Sequence, residues 1–235
     1  MFSQHKQETP PSRLYGRRKG LPLRRSLQEL LDHELPRRRL TLPEGQGILE
    51  LETLFPGKRE VWLEVGFGGG EHLAAQAAAN PEVGLIGAEI FRNGIATLLR
   101  ALVEQDCDNV LIFEEDARLL LPALPEASLS RVFLLFPDPW PKSRHHKRRF
   151  IQPETLDQLA HLLRDDAEFR LASDDPTYVT WMLRHLLAHP DFVWLAERAE
   201  DWRQRPADWP ATRYEAKALA EGRKPVFLRF RRRRR

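Results

Sequence analysis

Apolar residues in this chain fall into short runs separated by segments that carry a helical stripe. The runs VWLEV (61–65), GLIGAEI (84–90), NVLIFEED (109–116), RVFLLF (131–136) and EFRLAS (168–173) are bounded by turn residues and predict successive buried strands. Between them, the Ala-rich segment 71–79 and the segment 91–105 predict helices, as does the stretch opened by Pro153 with Leu156, Leu159 and Leu163 on one face. Asp175 is placed as the N-cap, and Pro176 as the first residue, of a helix running to about 188. Ser26 with Glu29 forms a capping box, and Leu27, Leu30, Leu31 and Leu35 make a stripe that Pro36 would end. FVWLAE (192–197) and VFLRF (226–230) predict closing strands. Strand–helix alternation with apolar strands implies an α/β fold, a mainly parallel, doubly wound sheet with helices on both faces. The organisation that follows is a flexible basic arm over 1–25, a single domain over 26–230 and a basic tail over 231–235.

Bulk properties narrow the class. With 235 residues, 42% of them hydrophobic, the chain can bury the core of one such domain. A single cysteine, Cys107, excludes an internal disulfide framework and a cysteine-rich metal site. No apolar run is long enough to cross a membrane, and the first residues lack the apolar centre of a secretory signal. Glu8 and the Pro10-Pro11 pair argue against an organellar transit peptide, so a soluble, cytoplasmic protein is expected.

The net charge of +3 conceals an uneven distribution. Residues 142–149 hold five Lys/Arg and residues 229–235 hold six, with no acid in either stretch. Without those eleven, the remaining 26 Lys/Arg face 34 Asp/Glu. A third cluster, Arg13, Arg17, Arg18, Lys19, Arg24 and Arg25, lies in the N-terminal arm. Cations clustered on an otherwise acidic body point to a polyanionic partner, although such runs also solubilise termini.

Candidate chemistry gathers at the predicted strand ends, where ligands collect in doubly wound sheets. Glu64, Glu89, Asp116, Asp138 and Asp174 each stand at or just past one. After the first strand, LEVGFGGGEH supplies Gly66, Gly68 and Gly70, but the third glycine of a dinucleotide fingerprint is replaced by Glu71. A lone glycine turn can merely tighten a connection. A carboxylate at this helix mouth suits a pyrophosphate poorly and suits a cofactor with a cationic amino group and a sulfonium, so S-adenosylmethionine fits better than NAD. Glu89 stands where ribose hydroxyls are bound in this architecture, and Asp116 where an adenine amino group can be accepted. Asp138, held between Pro137 and Pro139, separates an apolar strand from Trp140 and the basic run. His185 and His189 share a helix face without a third ligand, His145-His146 have no ligand spacing, and no triad can be assembled. No metal is expected.

These residues resemble a known family, the bacterial-type tRNA (guanine-N7)-methyltransferases. YGRRKG, EVGFGGG, GAE, FPDPWPKSRHHKRR, ASDD and TRYE carry the resemblance, which covers nearly the whole chain. It implies a class I S-adenosylmethionine-dependent methyltransferase fold, Rossmann-like, acting on a variable-loop guanine (position 46) of tRNA. It implies cofactor contacts from Glu64, Glu89 and Asp116 beside Gly66, Gly68 and Gly70. It further implies a catalytic Asp138, and substrate contacts from Lys142, Asp174, Thr212, Arg213, Tyr214 and Glu215. Ser143 stands where the family often has Lys, and the terminal arginine run is longer than usual. Two rivals remain open on the sequence alone. One is an exocyclic-amine methyltransferase, although its loop is usually D-P-P followed by an aromatic residue. The other is a non-catalytic RNA-binding protein on a methyltransferase scaffold.

Overall fold

The computed structural model of the protein describes residue 18 and the segments 20–45 and 47–235, so most of the predicted basic arm, including Arg13, Arg17 and Lys19, lies outside the described residues. Strands β1 (Glu60–Val65), β2 (Val83–Ala88), β3 (Val110–Phe113), β4 (Leu129–Leu135), β5 (Leu163–Ser173), β6 (Phe192–Trp194) and β7 (Val226–Arg232) form one sheet in the order β3-β2-β1-β4-β5-β7-β6. β1 to β5 run parallel, and β7 lies antiparallel to both β5 and β6. Helices α1 (Arg25–His33), α2 (Leu35–Arg38), α3 (Leu51–Leu54), α4 (Glu71–Ala79), α5 (Arg92–Glu104), α6 (Ala117–Leu120), α7 (Pro153–Leu162), α8 (Pro176–Ala188), α9 (Glu200–Arg203) and α10 (Arg213–Ala220) complete the described elements, together with two short 3-10 turns.

Side-chain alternation along the strands divides the core. Val61, Leu63 and Val65 of β1 face a layer containing Leu156 and Leu159 of α7 and Tyr178, Met182 and Leu186 of α8. Trp62 faces the opposite layer, which holds Leu31 of α1, Leu73 and Ala77 of α4, and Leu98 and Leu102 of α5. Every residue of β2 is buried, as expected of a parallel strand covered on both sides. Among the described residues no helix is long and apolar enough to cross a membrane.

Four local expectations need correction. The Ser26–Glu29 capping box does not form, because α1 begins one residue earlier with Arg24 as an N-cap that makes no side-chain bond. Pro36 does not stop a helix but sits in the first turn of α2, where its missing N–H costs nothing. The expected boundary after Phe230 falls inside β7, which continues to a buried Arg232. β5 likewise starts at Leu163 rather than 168, since the polar Arg164–Asp166 step lies on the sheet's end and is exposed. The N-capped helix at 176–188 and the helix at 71–79 form with the predicted bounds.

Candidate active site

The strand order reverses between β1 and β4, and the crevice at such a switch point is where this architecture binds ligands. A cavity of about 350 Å³ opens there, walled by residues that follow β1, β2, β3 and β4. Its floor is the glycine turn. Gly66, Gly68 and Gly70 have φ of 69°, 57° and 78°, backbone that a side chain disfavours. At Gly68 the space is also closed, since a Cβ would lie 2.8 Å from the Tyr214 ring. The cavity wall therefore includes bare backbone at Gly66 and Gly68.

Three of the five predicted acids meet in this cavity: Glu89, Asp116 and Asp138. Glu89 Oε2 accepts from Gly68 N–H at 2.8 Å, and Oε1 accepts from the Ile90 and Phe91 N–H groups at 2.7 and 2.9 Å. Burial raises its pKa, against the pull of those three donors. The carboxylate thus ties the glycine turn to the start of α5. Asp116 caps α6 through Arg118 N–H and also receives the Arg118 guanidinium at 2.9 and 2.7 Å.

Asp138 stands in the loop after β4. Its surface is open to the cavity, yet the surrounding walls exclude enough water to raise its carboxyl above the ordinary aspartate range. Phe136 and Trp140, two residues to either side, adopt φ of 50° and 44°. Left-handed backbone at two aromatic residues is a strained arrangement that the surroundings must hold in place. The basic run beyond forms a 3-10 turn over Ser143–Arg148 and divides by function. Lys142, Arg144 and Lys147 are exposed. Arg148 lies over the Trp140 ring, 4.8 Å from its centroid, and Arg149 is buried. Of the five cations in this stretch, Arg149 is thus turned inward and holds the loop from within.

The remaining predicted residues, Tyr214 apart, lie outside the main cavity. Glu64, one step along β1 from Val65, points to the other face and is buried against His72 Nδ1 at 2.7 Å. It lines a small adjoining cavity with Gly66, His72, Thr212 and Tyr214. Gly70 packs on α5, where an added Cβ would lie 2.6 Å from Leu98. Asp174 is paired with Arg223 at 2.5 Å, and Lys142 is on the surface. Thr212 caps α10, Arg213 pairs with Glu71 at 3.4 Å and Glu215 with Arg205 at 3.1 Å. Of that segment, Tyr214 alone reaches the main cavity. Tyr178, Phe91 and Arg118 also line it and carried no signal in the sequence, since each reads as ordinary helix or turn. His185 and His189 are held by Trp181 O and Asp157, and among the described residues no group of His, Cys, Asp and Glu is arranged to hold a metal.

This sheet is the sheet of the S-adenosylmethionine-dependent methyltransferases. The 16S rRNA methyltransferase KamB matches it with a TM-score of 0.54 at 17% identity, over 83% of this chain and 99% of that one. An rRNA methylase from Streptococcus thermophilus matches with a TM-score of 0.52 at 10% identity, over 78% and 92%. A family model described as "Putative methyltransferase" covers residues 58–228. The tRNA (guanine-N(7)-)-methyltransferase of Rhodospirillum rubrum is 57% identical over 231 residues, 96% of this chain and 89% of that protein. That of Paramagnetospirillum magneticum is 58% identical over 223 residues, 94% and 93%. The chain belongs to the tRNA (guanine-N7)-methyltransferase family.

Proposed function

We propose that this protein transfers the methyl group of S-adenosylmethionine to N7 of a guanine in tRNA, the variable-loop guanine at position 46. The observation that carries the reading beyond family membership is Asp138, a carboxylate in the wall of the same cavity as Glu89, Asp116 and the bare backbone of Gly68. The residues present fit the cofactor. Glu89 accepts from the ribose hydroxyls, Asp116 accepts from the adenine amino group, and Gly66 and Gly68 let the backbone approach closely. Glu64 and Gly70 act from behind, by fixing the glycine turn against α4 and α5. Bound S-adenosylmethionine supplies a methyl group on a cationic sulfur.

Guanine N7 carries a free lone pair, so no residue has to remove a proton before it attacks the methyl carbon. The product ring is cationic. Asp138 orients the guanine edge and stabilises that developing charge. Lys142, Arg144 and Lys147 contact the phosphates nearby, with Asp174 and the Thr212–Glu215 segment bordering the substrate path. An enzyme with this substrate works in the cytoplasm.

The test is to incubate the protein with tRNA and methyl-labelled S-adenosylmethionine and to map the modified atom. N7-methylguanine at position 46 is the expected product. Methyl groups on an exocyclic amine would replace this reading, and no transfer with retained RNA binding would leave a binding protein.

A further inference from the structure

Arg149 is 2% exposed, and among the described residues no carboxylate forms an ion pair with it. Its guanidinium lies 5.1 Å from the Tyr178 ring centroid and 4.9 Å from that of Trp181, both on α8. Its Nε–H donates to the carbonyl of Pro139 at 2.8 Å, while Nη2 is buried without a hydrogen-bond partner. Burial lowers its pKa, with Tyr178 and Asp175 the groups that favour its charge. A cation desolvated in this way is a costly filler for a space that a Met or Leu would fill more cheaply.

What the guanidinium touches gives it a use. Pro137 and Pro139 have no N–H, so neither residue next to Asp138 can pin the loop with a backbone donor, and the N–H before them, that of Phe136, is spent on the Ala172 carbonyl of β5 at 2.8 Å. Phe136 and Trp140 meanwhile sit in sparsely populated backbone. The donor comes instead from Arg149, which reaches the carbonyl one residue past the carboxylate. The segment that carries Arg149 is itself tied to α8. Phe150 N–H donates to Tyr178 Oη at 3.2 Å, and Trp181 Nε1 donates to the Ile151 carbonyl at 2.7 Å. Gln152 Nε2 closes the turn by donating to the carbonyls of His146 and Arg149.

We propose that Arg149 is the positioning residue of Asp138, a buried guanidinium clamped on the rings of Tyr178 and Trp181 that sets the carboxylate through the Pro139 carbonyl. The proposal rests on Asp138 acting in methyl transfer. A misplacement of about 1 Å at a reacting group costs on the order of 10²-fold in rate. Loss of the clamp is therefore a kinetic lesion, and removal of a desolvated cation leaves stability unchanged or raised.

The experiment is a double-mutant cycle on the full-length protein with Asp138→Ala, Arg149→Met and both together. Single-turnover methylation, affinity for S-adenosylmethionine, affinity for tRNA and melting temperature are measured on each. Arg149→Met should slow methylation by roughly 10- to 100-fold. Both affinities should stay within about twofold and melting should be unchanged or higher. In the Asp138→Ala background the second change should slow the reaction no further, because the two act through one group. Wild-type turnover in folded Arg149→Met, or a fully additive double mutant, overturns the proposal. Near-normal methylation by Asp138→Ala instead removes the reading on which it rests. Should Arg149→Met fail to fold, Arg149→Lys takes its place, since a single ammonium cannot lie flat on two rings and hold the carbonyl as well. Wild-type turnover in that variant is equally fatal.

Discussion

Asp138 and Glu89 are both carboxylates in one cavity wall, but their partners differ, and so do the consequences of removing them. Glu89 satisfies three backbone N–H groups, whereas the pKa of Asp138 is raised by burial alone. Asp138→Ala should retain affinity for S-adenosylmethionine and lose turnover by about 10²–10³, the scale of one preorganised electrostatic contact. Calorimetry and single-turnover assays on the same sample separate the two quantities. The pH dependence has a definite sign. The charged form is the working one and burial raises its pKa, so the rate falls as pH drops through that raised value, at a higher pH than a free aspartate would give. The acid limb should disappear in Asp138→Ala. Glu89→Ala should weaken S-adenosylmethionine by about 2–3 kcal/mol through the loss of charged hydrogen bonds, and calorimetry at a pH above its raised pKa checks it.

The start of α5 serves two neighbours at once. Phe91 and Ile90, just before it, line the cavity, and Asn93 holds the chain that arrives from the N-terminus. Asn93 Oδ1 accepts from Gly20 N–H and its Nδ2 donates to the Leu21 carbonyl, each at 2.8 Å, while Arg92 N–H donates to the Arg18 carbonyl. Arg18, Gly20 and Leu21 are therefore rooted beside the site. A Cβ at position 20 would lie 2.9 Å from the Asn93 side chain, so a larger residue there has to push that side chain aside. Asn93→Ala should cost about 1–3 kcal/mol of local stability. It should accelerate amide exchange at Gly20 and its neighbours, with global melting nearly unchanged. Protection that survives the substitution would show that Arg92 alone anchors the segment.

Charge separates the two ends of the sheet. The exposed cations Lys142, Arg144 and Lys147 lie at the carboxyl end, beside the cavity. The terminal arginines lie at the other. β7 pairs Val226 with Ser173 and Arg231 with Glu168, so the run begins roughly 17 Å back along β5 at the usual strand rise. There Arg232 and Arg235 pair with Asp165, Arg234 with Asp166, and Arg235 also with Glu126. Truncation after Phe230 should therefore lower the melting temperature and leave the salt dependence of tRNA binding unchanged. Replacing Lys142, Arg144 and Lys147 by Ala should instead reduce that salt slope by roughly 0.7–0.9 for each phosphate no longer neutralised. A truncated protein with a flattened salt slope would return the tail to the binding surface.

Much of this was legible along the chain, because local rules decide it. Strand and helix alternation set the architecture. Asp175 and Pro176 start a helix by capping chemistry alone, and three alternating glycines mark a turn that only positive φ can make. Strand ends could also be read, which is why Glu89, Asp116 and Asp138 stand out without any geometry. Facing direction and partner choice were not legible, since both depend on what packs opposite. A single step of strand alternation turned Glu64 away from the cavity and onto His72. Acids distant in sequence converted the terminal arginines from a free tail into a closed edge. Arg149 reads as one more cation in a basic run, and only the two rings of α8 folding over it made it a buried clamp. Residue order decides which groups arrive at the carboxyl end of the sheet. Long-range packing decides which of them meet a ligand, because desolvation and pairing are properties of the assembled surroundings rather than of the residue.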